Sequence, residues 1–388
     1  MEISEEITTI KYPKTEDRSP ITKYRYYELH TGFNHVFCKG FIQTGPQTEK
    51  LMACFFAINF PSLILLSFTM KNICEHEKNF SWFWITLVIL ILVNLFLFLT
   101  AFVNPGILKR FPYYESLGKT KESVETNDQP FPWLEMQNGE RSFKLKYCST
   151  CNIYRPPRSS HSSKSNNCVL KFDHHCPWVG SDVGLRNYRF YIYFLFFVTI
   201  FSPNTLIAGI YHMVITFQNF AKDDDLDNMG IFSKGFSKCW YSLLLIIYAF
   251  FFFYYVTKLF WYHIKLISKG ITTKEDRNRT YIKSPSPYNQ GLWKNWKNHL
   301  FSNFHPIPFS YRDFLSENEI LKLRSDFKQL KSKGKLKKKS NFKKLQQKKM
   351  NKNKLNTIST QNLDLDSNSE KNKNIQLESL SSEDIEKM

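Results

Sequence analysis

The sequence predicts an all-α polytopic membrane protein with four transmembrane helices. Four long apolar runs support this, because each can cross a hydrocarbon core of about 30 Å as a helix. The runs are 51–70, 82–103, 190–214 and 239–260. Only Lys258 carries charge within them, and it lies near the end of its run, where a lysine can snorkel to the interface. Four such runs make the alternative, buried helices in the core of a large soluble protein, a poorer explanation.

The distribution of charge predicts the orientation of these helices. The net charge of +19 is concentrated in the segment 105–189 and in the C-terminal part, whereas the loop 215–238 carries four aspartates. Lysine and arginine favour the cytosolic side of a membrane. We therefore expect both termini and the central loop to be cytosolic. The first fifty residues are polar and charged, unlike a cleaved signal peptide.

These patterns divide the chain into consecutive parts. A cytosolic N-terminal segment (1–50) precedes a first transmembrane hairpin (51–103), and a cytosolic loop (104–189) contains a cysteine-rich domain at 146–189. A second hairpin (190–260) is followed by a cytosolic segment (261–330) and by a tail (331–388). The tail is rich first in lysine and then in serine and acids, and we expect it to be disordered.

The cysteine-rich domain contains one complete set of zinc ligands. Cys148 and Cys151 form a Cys-x2-Cys pair, and His161 and Cys168 follow. Three thiolates and one imidazole suit a tetrahedral structural zinc, which leaves no open position for metal catalysis. The spacing therefore predicts a structural metal site.

A second group follows directly and has the residues of thiol catalysis. Cys176 is the candidate nucleophile, His174 the candidate base, and Asp173 the group that would orient the imidazole. His175 lies between them. Spacing alone leaves further zinc ligation as an equally good interpretation of this group.

The segment 148–189 contains the runs RPPRSSH, FDHHCPWVG and VGLRNYRF. These runs resemble the cysteine-rich domain of the DHHC family of protein S-acyltransferases. Asn104-Pro105-Gly106 resembles the family's Asp-Pro-Gly motif, 272–275 matches its Thr-Thr-x-Glu motif, and 287–295 resembles its C-terminal Asn-Pro-Tyr segment. The resemblance covers roughly residues 50–301.

The resemblance implies a two-step transfer. Cys176 would take a long-chain acyl group, palmitoyl foremost, from acyl-CoA and pass it to cysteines of membrane-associated proteins. It also implies that Arg155 and Arg158 lie near the coenzyme A phosphates and that Trp178 lies beside the thioester. Thr272, Thr273 and Asn295 match supporting positions of the family motifs.

The sequence departs from the family at the second of its two zinc sites. Ser162, Ser165 and Asp182 stand where the family has cysteines, so His175 has no sulfur partners. Serine hydroxyls are poor zinc ligands. We therefore expect one zinc in each chain, with hydrogen bonds replacing the second site. The loss also leaves an alternative open, a catalytically degenerate membrane adaptor or scaffold.

The lysine-rich part of the tail, 331–354, contains no acid. Anionic lipids attract such segments at about 1 kcal/mol per charge. A solvated tail with no specific partner explains the composition equally well. Nucleic acid is not expected as a partner.

Overall fold

The computed structural model describes residues 25, 30–110, 133–138, 141–223, 225–282 and 284–301. Among them, four helices are long and apolar enough to cross a membrane, as predicted. They are α1 (Thr48–Glu77), α2 (Ser81–Phe102), α3 (Tyr188–Phe220) and α4 (Asn228–Lys269). Helix α4 extends nine residues beyond the end of its apolar run, to Lys269. This extension brings its last turns to the cysteine-rich domain.

Polar side chains join the four helices inside the apolar bundle. Asn59 on α1 and Asn94 on α2 exchange amide hydrogen bonds of 2.8 and 3.0 Å. The Tyr248 hydroxyl on α4 donates to the Ala57 carbonyl at 2.6 Å. Hydrogen bonds of this kind hold helices together in lipid, where apolar packing alone has no hydrophobic driving force.

Between α2 and α3, the described residues form one three-stranded antiparallel sheet, β3 to β5, and two short hairpins, which a purely helical fold class does not include. They comprise β3 to β9 in chain order, and β1 (His35–Phe37) and β2 (Ile42–Thr44) form a further hairpin before α1. The bounds are β3 Trp133–Asn138, β4 Arg141–Cys148, β5 Ile153–Tyr154, β6 Ser160–Ser162, β7 Asn167–Val169, β8 His174–Cys176 and β9 Ser181–Val183. Most of these strands have two or three residues, too few to show the alternating pattern that identifies a strand.

Two short helices follow α4. Gly270 ends α4 with a left-handed backbone, φ 66°. The next helix, α5 (Thr273–Arg277), begins with a capping box in which Thr272 and Glu275 satisfy each other's backbone N–H groups. Helix α6 (Leu292–Trp296) continues into a π-helical turn at Lys297–Phe301. The predicted tail and most of the N-terminal segment lie outside the described residues.

Candidate functional site

The four predicted zinc ligands come together in the cysteine-rich domain. Pairing of β6 with β7 places His161 opposite Cys168, and the turn between β4 and β5 presents Cys148 and Cys151. The His161 Nδ1 atom lies 3.6, 3.4 and 3.8 Å from the sulfur atoms of Cys148, Cys151 and Cys168. All four ligand atoms lie within 4.8 Å of one another. This donor set and its burial fit a tetrahedral structural zinc.

In the second predicted group, His174 Nδ1 lies 2.7 Å from Asp173 Oδ2. His174 and Cys176 are the two ends of strand β8, two residues apart, so their side chains share one face of the hairpin. The Cys176 side chain is buried within the apolar cluster that joins the helices. A thiol, an imidazole and a carboxylate in this order can generate a thiolate and stabilise the resulting imidazolium.

Asp173 is held by the helix after α4. The Thr273 N–H donates to Asp173 Oδ1 at 2.8 Å, and its hydroxyl donates to Oδ2 at 2.7 Å. Burial alone would raise the pKa of Asp173, but the hydrogen bond and charge of His174, with the charge of His263 and the Thr273 N–H, lower it to about 2. Asp173 is therefore a carboxylate at any physiological pH.

The pKa of His174 reflects the same pairing. Burial alone would lower this pKa, but the hydrogen bonds to Asp173 and Cys176 outweigh burial and raise it to about 10. A protonated imidazole beside a cysteine favours the thiolate, which is the reactive form of the nucleophile. The pairing with Asp173 thus keeps His174 in its protonated form at neutral pH.

His263 is a residue of this site that the sequence analysis missed. It lies on α4 with 1% exposure, and its ring centroid is 5.7 Å from that of His174. Its Nδ1 lies 3.1 Å from the Tyr188 hydroxyl, and the edge of Tyr191 packs against the ring at 5.1 Å. The sequence does contain a signal for it, because an ionisable residue on an apolar membrane helix is by default a candidate functional residue. It was missed because His263 lies three residues beyond the predicted end of the fourth span.

The three residues that the resemblance places near acyl-CoA have different environments. Arg158 makes a bidentate ion pair with Glu275, Nε–Oε1 2.8 Å and Nη2–Oε2 2.6 Å, in which both side chains are largely buried. Arg155 is partly exposed, and its Nε donates to the Lys146 carbonyl at 3.4 Å. Trp178 is 64% exposed, two residues after Cys176. The guanidinium of Arg158 is thus already engaged, whereas Arg155 and Trp178 are accessible.

The remaining supporting residues anchor the segment after α4. Thr272 caps α5, and Asn295 donates to the Ser268 carbonyl at 3.0 Å and to Asn289 Oδ1 at 2.8 Å. The Asn295 bond ties α6 to the last turn of α4. Both residues therefore hold the backbone of the segment that carries Thr273.

A hydrogen-bonded cluster occupies the position where we expect the family's second zinc site. The hydroxyls of Ser162 and Ser165 donate to the two Asp182 oxygens, Oδ1 at 2.8 Å and Oδ2 at 2.5 Å. His175 Nδ1 lies 2.8 Å from Asp182 Oδ1, and His175 Nε2 lies 2.9 Å from Gln47 Oε1. The set offers hydroxyls in place of thiolates and uses both carboxylate oxygens internally, so it does not fit a structural zinc.

Comparison with known proteins gives a consistent result. The model of the DHHC palmitoyltransferase family matches residues 141–280. Probable protein S-acyltransferase 7 of Arabidopsis thaliana is 32% identical over 325 residues, which is 81% of this chain and 71% of the relative. Probable protein S-acyltransferase 1 of the same plant is 31% identical over 325 residues, 77% of this chain and 88% of the relative. Palmitoyltransferase ZDHHC18-A of Danio rerio is 32% identical over 256 residues, 65% of this chain and 53% of the relative.

Proposed function

The chain belongs to the DHHC palmitoyltransferase family, and we propose that it transfers a long-chain acyl group from acyl-CoA to protein cysteines through a thioester on Cys176. Palmitoyl is the group we expect first, with membrane-associated proteins as acceptors. The observation that carries this proposal is the chain of hydrogen bonds from Thr273 through Asp173 to His174, whose imidazole shares one face of strand β8 with the Cys176 thiol. It supplies an activated thiol and holds the base that serves it.

The proposed reaction consists of two thioester exchanges. In the first, the Cys176 thiolate attacks the acyl-CoA carbonyl carbon, the bond to the coenzyme sulfur breaks, and the coenzyme thiolate takes the proton of His174. In the second, His174 takes the proton of a substrate cysteine, whose sulfur attacks the acyl group and expels Cys176 as a thiolate. One thioester replaces another in each step, so the enzyme needs alignment more than a driving force.

We propose that the acyl chain follows an apolar route from Cys176 into the bundle. The nucleophile belongs to the same apolar cluster as residues of all four long helices. Deeper in the bundle, those helices enclose a cavity whose lining includes Ile58, Val93, Phe201 and Tyr248. We propose that the chain enters between the helices toward this cavity, while Trp178 covers the thioester at the surface.

For the coenzyme phosphates, we expect Arg155 to contribute more than Arg158. Arg155 is accessible, whereas the bidentate pair with Glu275 already occupies Arg158. Guanidinium binds phosphate well, and breaking a buried ion pair to do so costs several kcal/mol. Arg158 then serves mainly to hold the segment that carries Thr273.

We propose one zinc in each chain, held by Cys148, Cys151, His161 and Cys168. When bound, it would fix the loops of the cysteine-rich domain and take no part in acyl transfer. Metal analysis of purified protein should give one zinc, and two would contradict the proposal.

The proposed orientation has both termini in the cytosol, and the lysine-rich tail is proposed to bind anionic lipid.

The test of the main proposal is labelling with a palmitoyl-CoA analogue. Detergent-purified protein is compared with Cys176→Ser, and hydroxylamine releases thioesters. Hydroxylamine-sensitive label in the wild type alone would support the acyl-enzyme. Absence of label in folded, zinc-loaded wild type would overturn it, and the non-catalytic adaptor would then be the better hypothesis.

A further inference from the structure

The segment before α1 packs against the lobe that contains β6 to β9. We call residues 30–47 the pre-span segment. Three hydrogen bonds join this segment to the turn between β6 and β7 and to the first residue of β7. They run from Phe33 N–H to Ser165 O at 2.8 Å, from Asn166 Nδ2 to Thr31 O at 3.2 Å, and from Asn167 Nδ2 to Asn34 Oδ1 at 2.8 Å. The segment therefore covers the region where the family's second zinc would lie.

The end of the pre-span segment also contacts the hairpin of the nucleophile. The Gln47 N–H donates to the Gly180 carbonyl at 3.2 Å, in the turn between β8 and β9. The two segments are so close that a Cβ added at Gly45 would collide with the Gly180 carbonyl oxygen. Gly180 has a positive φ of +69°, and a Cβ added there would collide with the Gln47 carbonyl oxygen. Glycine is required at both positions because the backbones touch.

The side chain of Gln47 completes the cluster around Asp182. Gln47 Oε1 lies 2.9 Å from His175 Nε2, and His175 Nδ1 lies 2.8 Å from Asp182 Oδ1. Asp182 is 1% exposed and Ser165 is 0% exposed. A buried polar cluster whose members all find partners gives rigidity, whereas a partly satisfied one destabilises.

The hairpin needs such an anchor. Strands β8 and β9 pair over three residues, His174 with Val183, His175 with Asp182, and Cys176 with Ser181. A two-stranded hairpin of this length is not stable alone. Side chains alternate along a strand, so His175 points away from the face shared by His174 and Cys176. The active-site face is held by Thr273, and the opposite face is held by Asp182 and Gln47.

We propose that the pre-span segment acts as a clamp that replaces the second zinc of the family, with Gln47 as a positioning residue acting on Cys176 through His175. The inference rests on the proposed function for its link to catalysis. The clamp itself concerns the rigidity of the β8–β9 hairpin, which amide hydrogen exchange measures without any assay of activity. It also assigns a role to residues that precede the matched family domain.

The first experiment compares Gln47→Ala with Glu49→Gln, an exposed control two residues away, in full-length protein. Zinc content should stay at one in both variants. We expect faster amide hydrogen exchange at 174–183 in Gln47→Ala only, and acyl-enzyme formation slower by about 10- to 100-fold, the scale expected when reacting groups lose alignment. Equal exchange and equal rates in the two variants would overturn the clamp.

The second experiment restores the metal. The triple variant Ser162→Cys, Ser165→Cys, Asp182→Cys gives His175 three thiolate partners, and its zinc content should rise from one to two. In that background, adding Gln47→Ala should change acyl-enzyme formation by less than about twofold, because zinc now holds the hairpin. If Gln47→Ala slowed acyl-enzyme formation equally in the native protein and in the triple variant with two zincs, the proposal that the clamp replaces the second zinc would be contradicted.

The outcomes separate this inference from the proposed function. If wild-type protein forms no acyl-enzyme, the proposed function fails, yet hydrogen exchange at 174–183 still decides whether the clamp exists. If the triple variant does not bind a second zinc, the comparison of Gln47→Ala with Glu49→Gln in the native background decides alone.

Discussion

Thr273 donates two hydrogen bonds to Asp173 across a separation of 100 residues, from its N–H to Oδ1 at 2.8 Å and from its hydroxyl to Oδ2 at 2.7 Å. The Thr-Thr-x-Glu motif after the fourth membrane helix thus orients the carboxylate that orients the base. The same motif supplies Glu275 for the ion pair with Arg158. Two residues of one short helix, two positions apart, therefore fasten the cysteine-rich domain to the segment that follows α4.

Replacing the Thr273 hydroxyl should slow acyl-enzyme formation. Thr273→Val removes one donor to a buried carboxylate, a bond worth about 1.5–3 kcal/mol, and we expect a loss of roughly tenfold or more. Thr273→Ser keeps the donor and should recover most of the rate. Single-turnover labelling checks this, and equal rates for Val and Ser would show that only the backbone bond matters.

The charge state of His174 should determine how the rate of Cys176 alkylation depends on pH. The folded pKa of His174, about 10, lies above its ordinary value of 6.5. Stability from this pairing is therefore fully present below pH 6.5 and is lost as the pH rises through about 10. Asp173→Asn removes the main partner, so the pKa of His174 should fall.

The measurement is the rate of Cys176 alkylation by iodoacetamide as a function of pH. In wild type the thiol should react readily at neutral pH, because the imidazolium favours the thiolate. In Asp173→Asn the reactivity at neutral pH should drop. Unchanged profiles would show that Asp173 does not influence the charge of the pair.

His263 should matter for the position of His174. His263→Ala removes a ring that packs against His174 at a centroid distance of 5.7 Å, so the imidazole gains freedom. We expect slower acyl-enzyme formation by about tenfold, a modest part of what misalignment can cost. Tyr188→Phe removes only the hydroxyl near His263 Nδ1 and should have a smaller effect. A larger effect for Tyr188→Phe would contradict this order.

Replacing Arg158 should lower stability, whereas replacing Arg155 should weaken the binding of acyl-CoA. Arg158→Ala leaves Glu275 buried without its partner and should lower the free energy of unfolding by about 3–5 kcal/mol. Arg155→Ala should leave stability unchanged and raise the KM for palmitoyl-CoA. Thermal unfolding and acyl-CoA titration separate the two, and a stable Arg158→Ala protein with a raised KM would support direct phosphate binding by Arg158.

Removal of zinc should dismantle the cysteine-rich domain. Cys151→Ser replaces one thiolate of the buried set, and structural zinc sites contribute directly to folding. We expect loss of zinc and of hydroxylamine-sensitive label together. Ser163→Ala, an exposed position in the turn between β6 and β7, is the matched control and should retain both.

The membrane class and the chemistry of the site could be predicted from local patterns. Four apolar runs predict four spanning helices because a single helix must satisfy its own backbone in lipid, whatever its neighbours. The four zinc ligands lie close together in the chain, so their spacing indicates their chemistry. For Asp173, His174 and Cys176, spacing left zinc ligation and catalysis open, and the family resemblance favoured catalysis.

The hairpins of the cysteine-rich domain could not be predicted in this way. Strands such as β6 and β8 have three residues each, and their pairing is fixed by a ligand set and by buried hydrogen bonds rather than by a repeating pattern. The predicted end of α4 stopped short for a related reason. Polar residues interrupt hydropathy there, although the helix continues to Lys269.

The sequence by itself determined the four apolar runs and the set of three cysteines and one histidine that the structure brings together, because each is a matter of residue type and local spacing. The role of Cys176 as the nucleophile and the loss of a second zinc site stay predictions that rest on the family resemblance. Only the tertiary structure decided what surrounds these residues. It placed His263 beside His174 and Gln47 beside His175. Contacts between residues 89 and 128 positions apart in the chain depend on how whole elements pack, and no local pattern carries that information.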